Sequence, residues 1–492
     1  MPARRVAAAK HGRTFFSPKM NTSPRNLLAC FSTIAWLAAA ASPVSRAADA
    51  ASVTAFTHAR LIDGNGGPAL ENATLVIDAS RILAVGPAAT TPAPAGATVI
   101  DAHGQTIMPG LLTAHSHLGV SKGAAGPAPE NYSRENVAAQ LLQYESYGVL
   151  GVMSLGLNRD EAYTWRDEQK VGKFEGADMF LADRGIGVVS GAPPFPLKID
   201  QVYRPTNADE ARAAVTESAA RHPDLLKIWV DDLFGSAPKM APEIYQTAIN
   251  TAHAAFDEAH KHNLRVAAHV FYLADAKALV KAGLDVIAHS VRDVPVDAEF
   301  IALLKEKAVP YIPTLTLDEA QFIYAEHPAF MDDPFFVQAV DPGLLASWLT
   351  PEYASKMAAN PNTPKNKAAS ETGRKNVKTL HDAGVTIALG TDSGALPTRV
   401  QGWFEHRELQ LLVAAGLKPM DAIVCATRNA AQVIGVGADR GTLEPGKRAD
   451  FLVLAANPLD DIRNTTKLVA IYHTGKKIEP RVKADDAKVA AK

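Results

Sequence analysis

Between residues 110 and 390 the chain repeats one pattern: a short apolar run, then a stretch with helical spacing. The runs are Gly110–Ala114, Val149–Leu155, Asp178–Ala182, Leu225–Val230, Arg265–His269, Val286–His289, Pro310–Leu315 and Thr386–Gly390. Glu243–Lys261 and Asp275–Ala282 are two of the helical stretches between them. Continuous apolar runs suit strands buried on both faces, and helices between such strands carry the chain back for parallel pairing. Eight alternations therefore predict an α/β fold built on a (β/α)8 TIM-like barrel. A doubly wound open sheet is the alternative. It is weakened because no glycine-rich phosphate-binding turn follows the first strand.

The flanks read differently. From Val53 to Ile107 the chain shows short strands separated by turns, among them Ala73–Asp78 and Arg81–Val85. Asp450–Leu454 and Lys467–Tyr472 read as strands too, with a turn at Gly446–Arg448. The two ends are expected to pair into one small β-sandwich domain. The expected organisation is a signal peptide at 1–47, β-sandwich segments at 48–108 and 437–482, a barrel at 109–436, and a disordered tail at 483–492. Of the 492 residues, 47% are hydrophobic and 21% charged, enough for a large core and ordinary for a soluble enzyme. A net charge of −2 excludes a basic nucleic-acid footprint. A homo-oligomer is left open.

The signal-peptide reading rests on Lys19 and Arg25, the apolar run Leu27–Ala40, and the small-residue site at Ser45 and Ala47. Met20 is an alternative start to Met1. The apolar run is too short to span a bilayer comfortably, and an uncleaved anchor is the alternative. Export to a periplasm, or secretion, follows. Cys30 would leave with the signal, so Cys425 alone cannot form an internal disulfide. The long polar stretch Asp318–Glu371 lies between the seventh and eighth strands. It is either a lid or pocket wall, or a surface insertion.

His115 and His117 close the first apolar run, where positions i and i+2 point the same way. They can therefore present two imidazoles to one ion. The pattern alone is weak, since 15 histidines give about half such a pair by chance. A second pair, His260 and His262, lies at a polar helix end where the rings diverge, and reads as surface. His269, His289 and Asp392 fall at the C-terminal ends of other strand-like runs, where barrel enzymes place their chemistry. One such histidine is more often a hydrogen-bonded core residue. Four with an aspartate form a ligand set for zinc or a related ion. Lys227 sits inside Leu225–Val230, where a charged amine is costly to bury. It either snorkels or pairs with Asp231 or Asp232, or it is neutral and carries CO2 as a carbamate bridging two metals.

With His115-Ser-His117 after Pro109-Gly110, Lys227, His269, His289, Gly390–Gly394 and the late segment Gly441–Asp450, the chain resembles the amidohydrolase superfamily. It is most similar to the imidazolonepropionase-related branch with binuclear metal centres, which includes prolidase-like dipeptidases and ochratoxinase-like amidases. The resemblance implies two divalent ions, zinc by preference. His115, His117 and Asp392 would hold one, and His269 and His289 the other. Carboxylated Lys227 and a hydroxide would bridge them. Imidazolonepropionase itself and the deaminases resemble the chain less, because they use one metal and lack the bridging lysine. The chain also departs from many relatives in reading His269-Val-Phe-Tyr272, with no second histidine two residues on.

The implied reaction is hydrolysis of an amide bond in a small molecule such as a dipeptide or N-acyl amino acid, with Asp392 as proton shuttle. Tyr272, Arg292 and Arg184 are the candidate substrate contacts, the arginines for an anionic end. A lactonase or phosphotriesterase-type esterase on the same metals is one alternative. A non-catalytic exported binding protein is another.

Overall fold

Val53–Leu61 (β1) alternates buried and more exposed positions except at Ala55–His58, next to a register shift in its pairing. The computed structural model describes residues 53–194, 201–257 and 262–482. The readings of 1–47 as a signal peptide, of Cys30, of His260 and of the 483–492 tail lie outside the described residues. Leu70–Asp78 (β2), Arg81–Pro87 (β3), Thr98–Asp101 (β4) and Thr106–Pro109 (β5) follow β1.

Seven parallel strands then form two sheets. Leu111–Ser116 (β6), Val149–Ser154 (β7) and Asp178–Leu181 (β8) make the first. Leu226–Trp229 (β9), then Val266–His269 (β12), Val286–Ala288 (β13) and Tyr311–Ile312 (β14), make the second. Between them Phe256–Asp257 (β10) and His262–Asn263 (β11) pair antiparallel. The expected helix Glu243–Lys261 thus stops at Ala254, because Ala255 turns to extended backbone and leads into this pair. Every residue of β6, β7 and β9 is buried, which accounts for their mostly apolar character and makes the polar exceptions His115 and Lys227 stand out.

Single bridges join the two sheets at both edges. The Ile186 N–H donates to the Lys227 carbonyl and the Trp229 N–H to that of Ile186. On the other side Tyr311 N–H donates to Thr386 O, Ala114 N–H to Leu389 O, and His117 N–H to Ser393 O. The arrangement is a TIM-barrel-like α/β fold. It is not a continuous closed barrel of paired strands among the described residues. The expected eighth strand, Thr386–Gly390, is an irregular segment running into Asp392, whose φ of 59° no ladder accommodates.

Phe451–Leu454 (β15), Leu468–His473 (β16) and Lys476–Ile478 (β17) complete an eight-stranded sheet with β1–β5, in the order β17-β16-β15-β5-β1-β2-β3, with β4 beside β1. The chain ends therefore share one sheet, as expected, but a two-layered sandwich is not confirmed. The sheet packs side chains on both faces, one cluster around Phe56, Leu75 and Phe451 and another continuous with the main core through Met108, Leu452 and Ile471. Phe56 of β1 meets Phe451 and Tyr472 edge-on, at ring separations of 5.1 and 5.0 Å, across the intervening β5.

The Asp318–Glu371 stretch is largely helical. Helices Pro334–Val337, Pro342–Trp348 and Pro351–Ala359 each begin on proline, where the missing N–H costs no hydrogen bond. The aromatics build a local core, with Tyr324 stacked on Trp348 at 3.8 Å. Cys425 is buried and free. No helix among the described residues is long and apolar enough to cross a membrane.

Candidate metal centre

Strand alternation sends His115 and His117 to one side of β6 and Ser116 to the other, where its hydroxyl lies 3.1 Å from that of Ser393. The N–H groups of Thr391 and Asp392 both donate to the His115 carbonyl, at 2.9 and 3.0 Å. That pins the Asp392 carboxylate over the imidazoles. Its Oδ1 is 3.1 Å from His115 Nε2 and 3.0 Å from His117 Nε2. Gly390 makes the crossing possible, since a Cβ there would lie 2.5 Å from Ile312 Cγ2 and 2.7 Å from His115 Cβ. Potential ligand atoms of His115, His117 and Asp392 all lie within 4.8 Å of one another.

The remaining candidates close around this trio. The His289 ring is 4.5 Å from His115 and 4.3 Å from His269, centroid to centroid. His269 Nε2 lies 3.1 Å from Asp231 Oδ2. His289, at φ 71°, places Nδ1 2.8 Å from the Thr314 hydroxyl, leaving Nε2 for another partner. Lys227 is fully buried. It takes neither of its neighbouring aspartates, and Nζ has no hydrogen-bond partner. Burial holds this amine down at about 7. Burial, and then the nearby Lys227 charge, pushes His115 well below the usual imidazole range. Burial does the same to His289. Neutral imidazoles offer lone pairs, which is the form a metal needs. Burial alone would raise the Asp392 carboxyl, but Arg399 and the two imidazoles hold it well below its usual range.

Nδ1 of His115, Nδ1 of His117 and Nζ of Lys227 are buried without a hydrogen bond, and His115 Nε2 meets only the Asp392 carboxylate. Buried polar atoms are nearly always paired, so such a group around one carboxylate fits a cation. Residues 106–477 match the amidohydrolase family. The chain belongs to that family. This amidohydrolase is 29% identical over 465 residues to ochratoxinase of Aspergillus niger, covering 87% of this chain and 86% of that protein. A solved structure of a putative prolidase from Bifidobacterium longum superposes with a TM-score of 0.69 at 26% identity, covering 89% of this chain and 98% of the other. A Xaa-Pro dipeptidase with methionine in its active site gives 0.68 at 23% identity, covering 87% and 100%, and shares the fold. The protein is thus a metal-binding hydrolase acting on carbon–nitrogen bonds, with a small molecule as substrate.

Beside the candidate metal residues of this amidohydrolase lies a cleft of about 450 Å3. His117, His269, His289, Asp392, Arg292 and Arg399 line it. Asn362 and Asn366 bring the helical insertion into the wall. Arg292 is largely committed: it donates to the carbonyls of Val270 and Ser290, and its Nε lies 3.2 Å from Asp318. Tyr272 and Arg184 are not among the lining residues. Tyr272 donates to Asp232 at 2.9 Å, and Arg184 pairs with Asp160 at 2.9 Å. Sequence reasoning missed Arg399, which donates to Asp392 Oδ2, as well as Thr314 and the role of Asp231. The adjacency of Asp231 to a strand end was a usable signal. Arg399 lies in an irregular loop and offered none.

Proposed function

We propose that this protein uses two divalent ions, zinc by preference, to hydrolyse the amide bond of a dipeptide or N-acyl amino acid. The observation carrying the proposal is the convergence of the buried His115 and His117 imidazoles on one oxygen of Asp392, beside the unpartnered Lys227 amine and a cleft that His269 and His289 line. His115, His117 and Asp392 would hold one ion, His269 and His289 the other, and Lys227, as a CO2-derived carbamate, would lie between them. Bound ions of this kind lower the pKa of water and polarise a carbonyl. The chain's own residues do the rest. Asp392 accepts the proton of the attacking water at its carboxylate and delivers it to the leaving nitrogen. Asp231 fixes the tautomer of His269, and Thr314 that of His289. Arg399 and Arg292 put positive charge beside an anionic end of the substrate. The relatives named prolidase, Xaa-Pro dipeptidase and ochratoxinase support a peptide-like amide.

The finer architecture in this proposal is an eight-stranded ring closed by residues 386–393, with the curved end sheet as its sandwich module. Export through a signal at 1–47 completes it. Hydrolysis of N-acyl amino acids and dipeptides with C-terminal proline, arginine or phenylalanine by the zinc-loaded protein is the test, with lactones in parallel. Cleavage of amides is expected. Cleavage of lactones alone, or of nothing by protein holding two ions, overturns the amide reading.

A further inference from the structure

The cleft carries an aromatic wall that the backbone is strained to present. After β9, Leu233, Phe234 and Gly235 adopt φ values of 54°, 61° and 78°. Bulky side chains disfavour this left-handed region, so two in succession must be held there by their surroundings. They are. Asp231 accepts from the Leu233 N–H at 3.1 Å and Asp232 from the Gly235 N–H at 2.9 Å. Ser236 donates to the Leu233 carbonyl at 2.6 Å. The same two aspartates also hold His269, at 3.1 Å, and Tyr272, at 2.9 Å. The turn that displays Phe234 is therefore tied to an imidazole of the metal centre.

Phe234 is 43% exposed, although it lines the cleft. It meets Phe271 edge-on at 4.7 Å, and the Arg292 guanidinium lies 4.8 Å from the Phe271 ring. Trp229 backs the wall in a fitted seat, since a Cβ on Gly156 or on Gly185 would come within 2.5 Å of its indole. Leu157, Pro193 and Leu396 continue the apolar lining. An aromatic ring fixed at a cleft mouth, with one ring already against it, offers a surface for another flat apolar group.

We propose that Phe234 and Phe271 select amide substrates bearing an aromatic or similarly large apolar group beside the scissile bond. The inference rests on the amide-hydrolase reading above and adds a specificity determinant to it. Two substrate series test it on the zinc-loaded protein: N-acetyl-alanine against N-acetyl-phenylalanine, and N-acetyl-glycine against N-benzoyl-glycine. In at least one series the aromatic member is expected to have a kcat/KM about tenfold or more higher. Phe234→Ala should abolish that preference through KM rather than kcat, and Phe234→Tyr should restore it. A wild-type protein with no aromatic preference in either series, or a preference that survives in Phe234→Ala, overturns the proposal. Calorimetric binding of the products phenylalanine and alanine, and benzoate and acetate, gives a readout without turnover. If no amide is cleaved, the amide reading fails while the binding comparison still judges the wall: a gap in affinity lost in Phe234→Ala supports it, and equal affinities sink it.

Discussion

Asp392 gives one carboxylate oxygen to His115 and His117 and the other to Arg399. In the proposed reaction it is therefore both a metal ligand and the base. Asp392→Asn keeps the shape but removes the charge and the basicity. A loss of about 10²–10⁴ in kcat, with lower metal content, is expected from steady-state kinetics and elemental analysis. Lys227 makes the opposite kind of test. Its amine is buried and unpartnered, so an apolar replacement of similar length leaves the fold intact or steadier. Lys227→Met is expected to keep a native circular dichroism spectrum while bound metal drops from about two ions per chain to about one or fewer. Two ions and undiminished activity in that variant would exclude a bridging role. These residues could be picked out in the sequence because each stands at a strand end or inside an apolar run. Arg399 could not, since its loop has no period and its partner is set by the fold.

At the scale of elements, the helix Trp403–Ala414 supports two site segments through buried carboxylates on one face. Glu405 accepts from the hydroxyls of Thr391, at 2.7 Å, and Ser393, at 2.9 Å, next to Asp392. Glu408 accepts from the N–H groups of Leu315 and Thr316, both at 2.8 Å, and from the Thr316 hydroxyl at 2.9 Å. Those bonds anchor the residues just after Thr314, the partner of His289. Burial pushes the Glu408 carboxyl up to about 8. Of its three donors, the Thr316 hydroxyl also reaches the Thr391 carbonyl, at 3.2 Å, so the two backbone N–H groups depend on Glu408 most. Glu408→Leu should destabilise the protein by about 2–4 kcal/mol in urea unfolding, and Glu408→Gln by less. Equal stability in all three proteins would show that the donors find other partners. Strand periodicity announced the elements that this helix buttresses. The carboxylates under them were invisible, because a glutamate in a helix usually faces water.

Across the whole molecule, the end sheet is fastened to the rest by a buried charge cluster. His473 of β16 lies 2.6 Å from Glu145 on helix Arg134–Ser146 and 3.5 Å from Asp178 at the start of β8. Arg448 pairs with Asp178 at 2.8 Å and with Asp450 at 3.2 Å, and Arg440 also pairs with Asp178. Burial would lower His473, but Asp178 and Glu145 outweigh it and hold the imidazole at about 9. Its folded value lies above its unfolded value near 6.5, so its stabilisation is complete below about pH 6.5. That stabilisation is lost as pH rises through about 9, and it amounts to about 3 kcal/mol at most. Thermal melts should show stability falling between pH 6.5 and 9.5, with a flatter profile in His473→Gln. Identical profiles would remove the cluster's imidazole from the stability of this seam.

Local pattern was enough to read the strand–helix alternation, the sharing of one sheet by both chain ends, and the histidines, lysine and aspartate that converge. Burial on two faces and strand-end placement leave a periodic trace within a few residues. Spatial neighbours leave none. Glu408 reaches Leu315 across 93 positions and His117 reaches Asp392 across 275, so these pairings exist only once the sheets have formed. The same holds for the left-handed turn of Asp392 that breaks the eighth strand, and for the strained Phe234 loop. Their conformations are held by distant hydrogen bonds and close packing rather than by the preferences of the residues themselves.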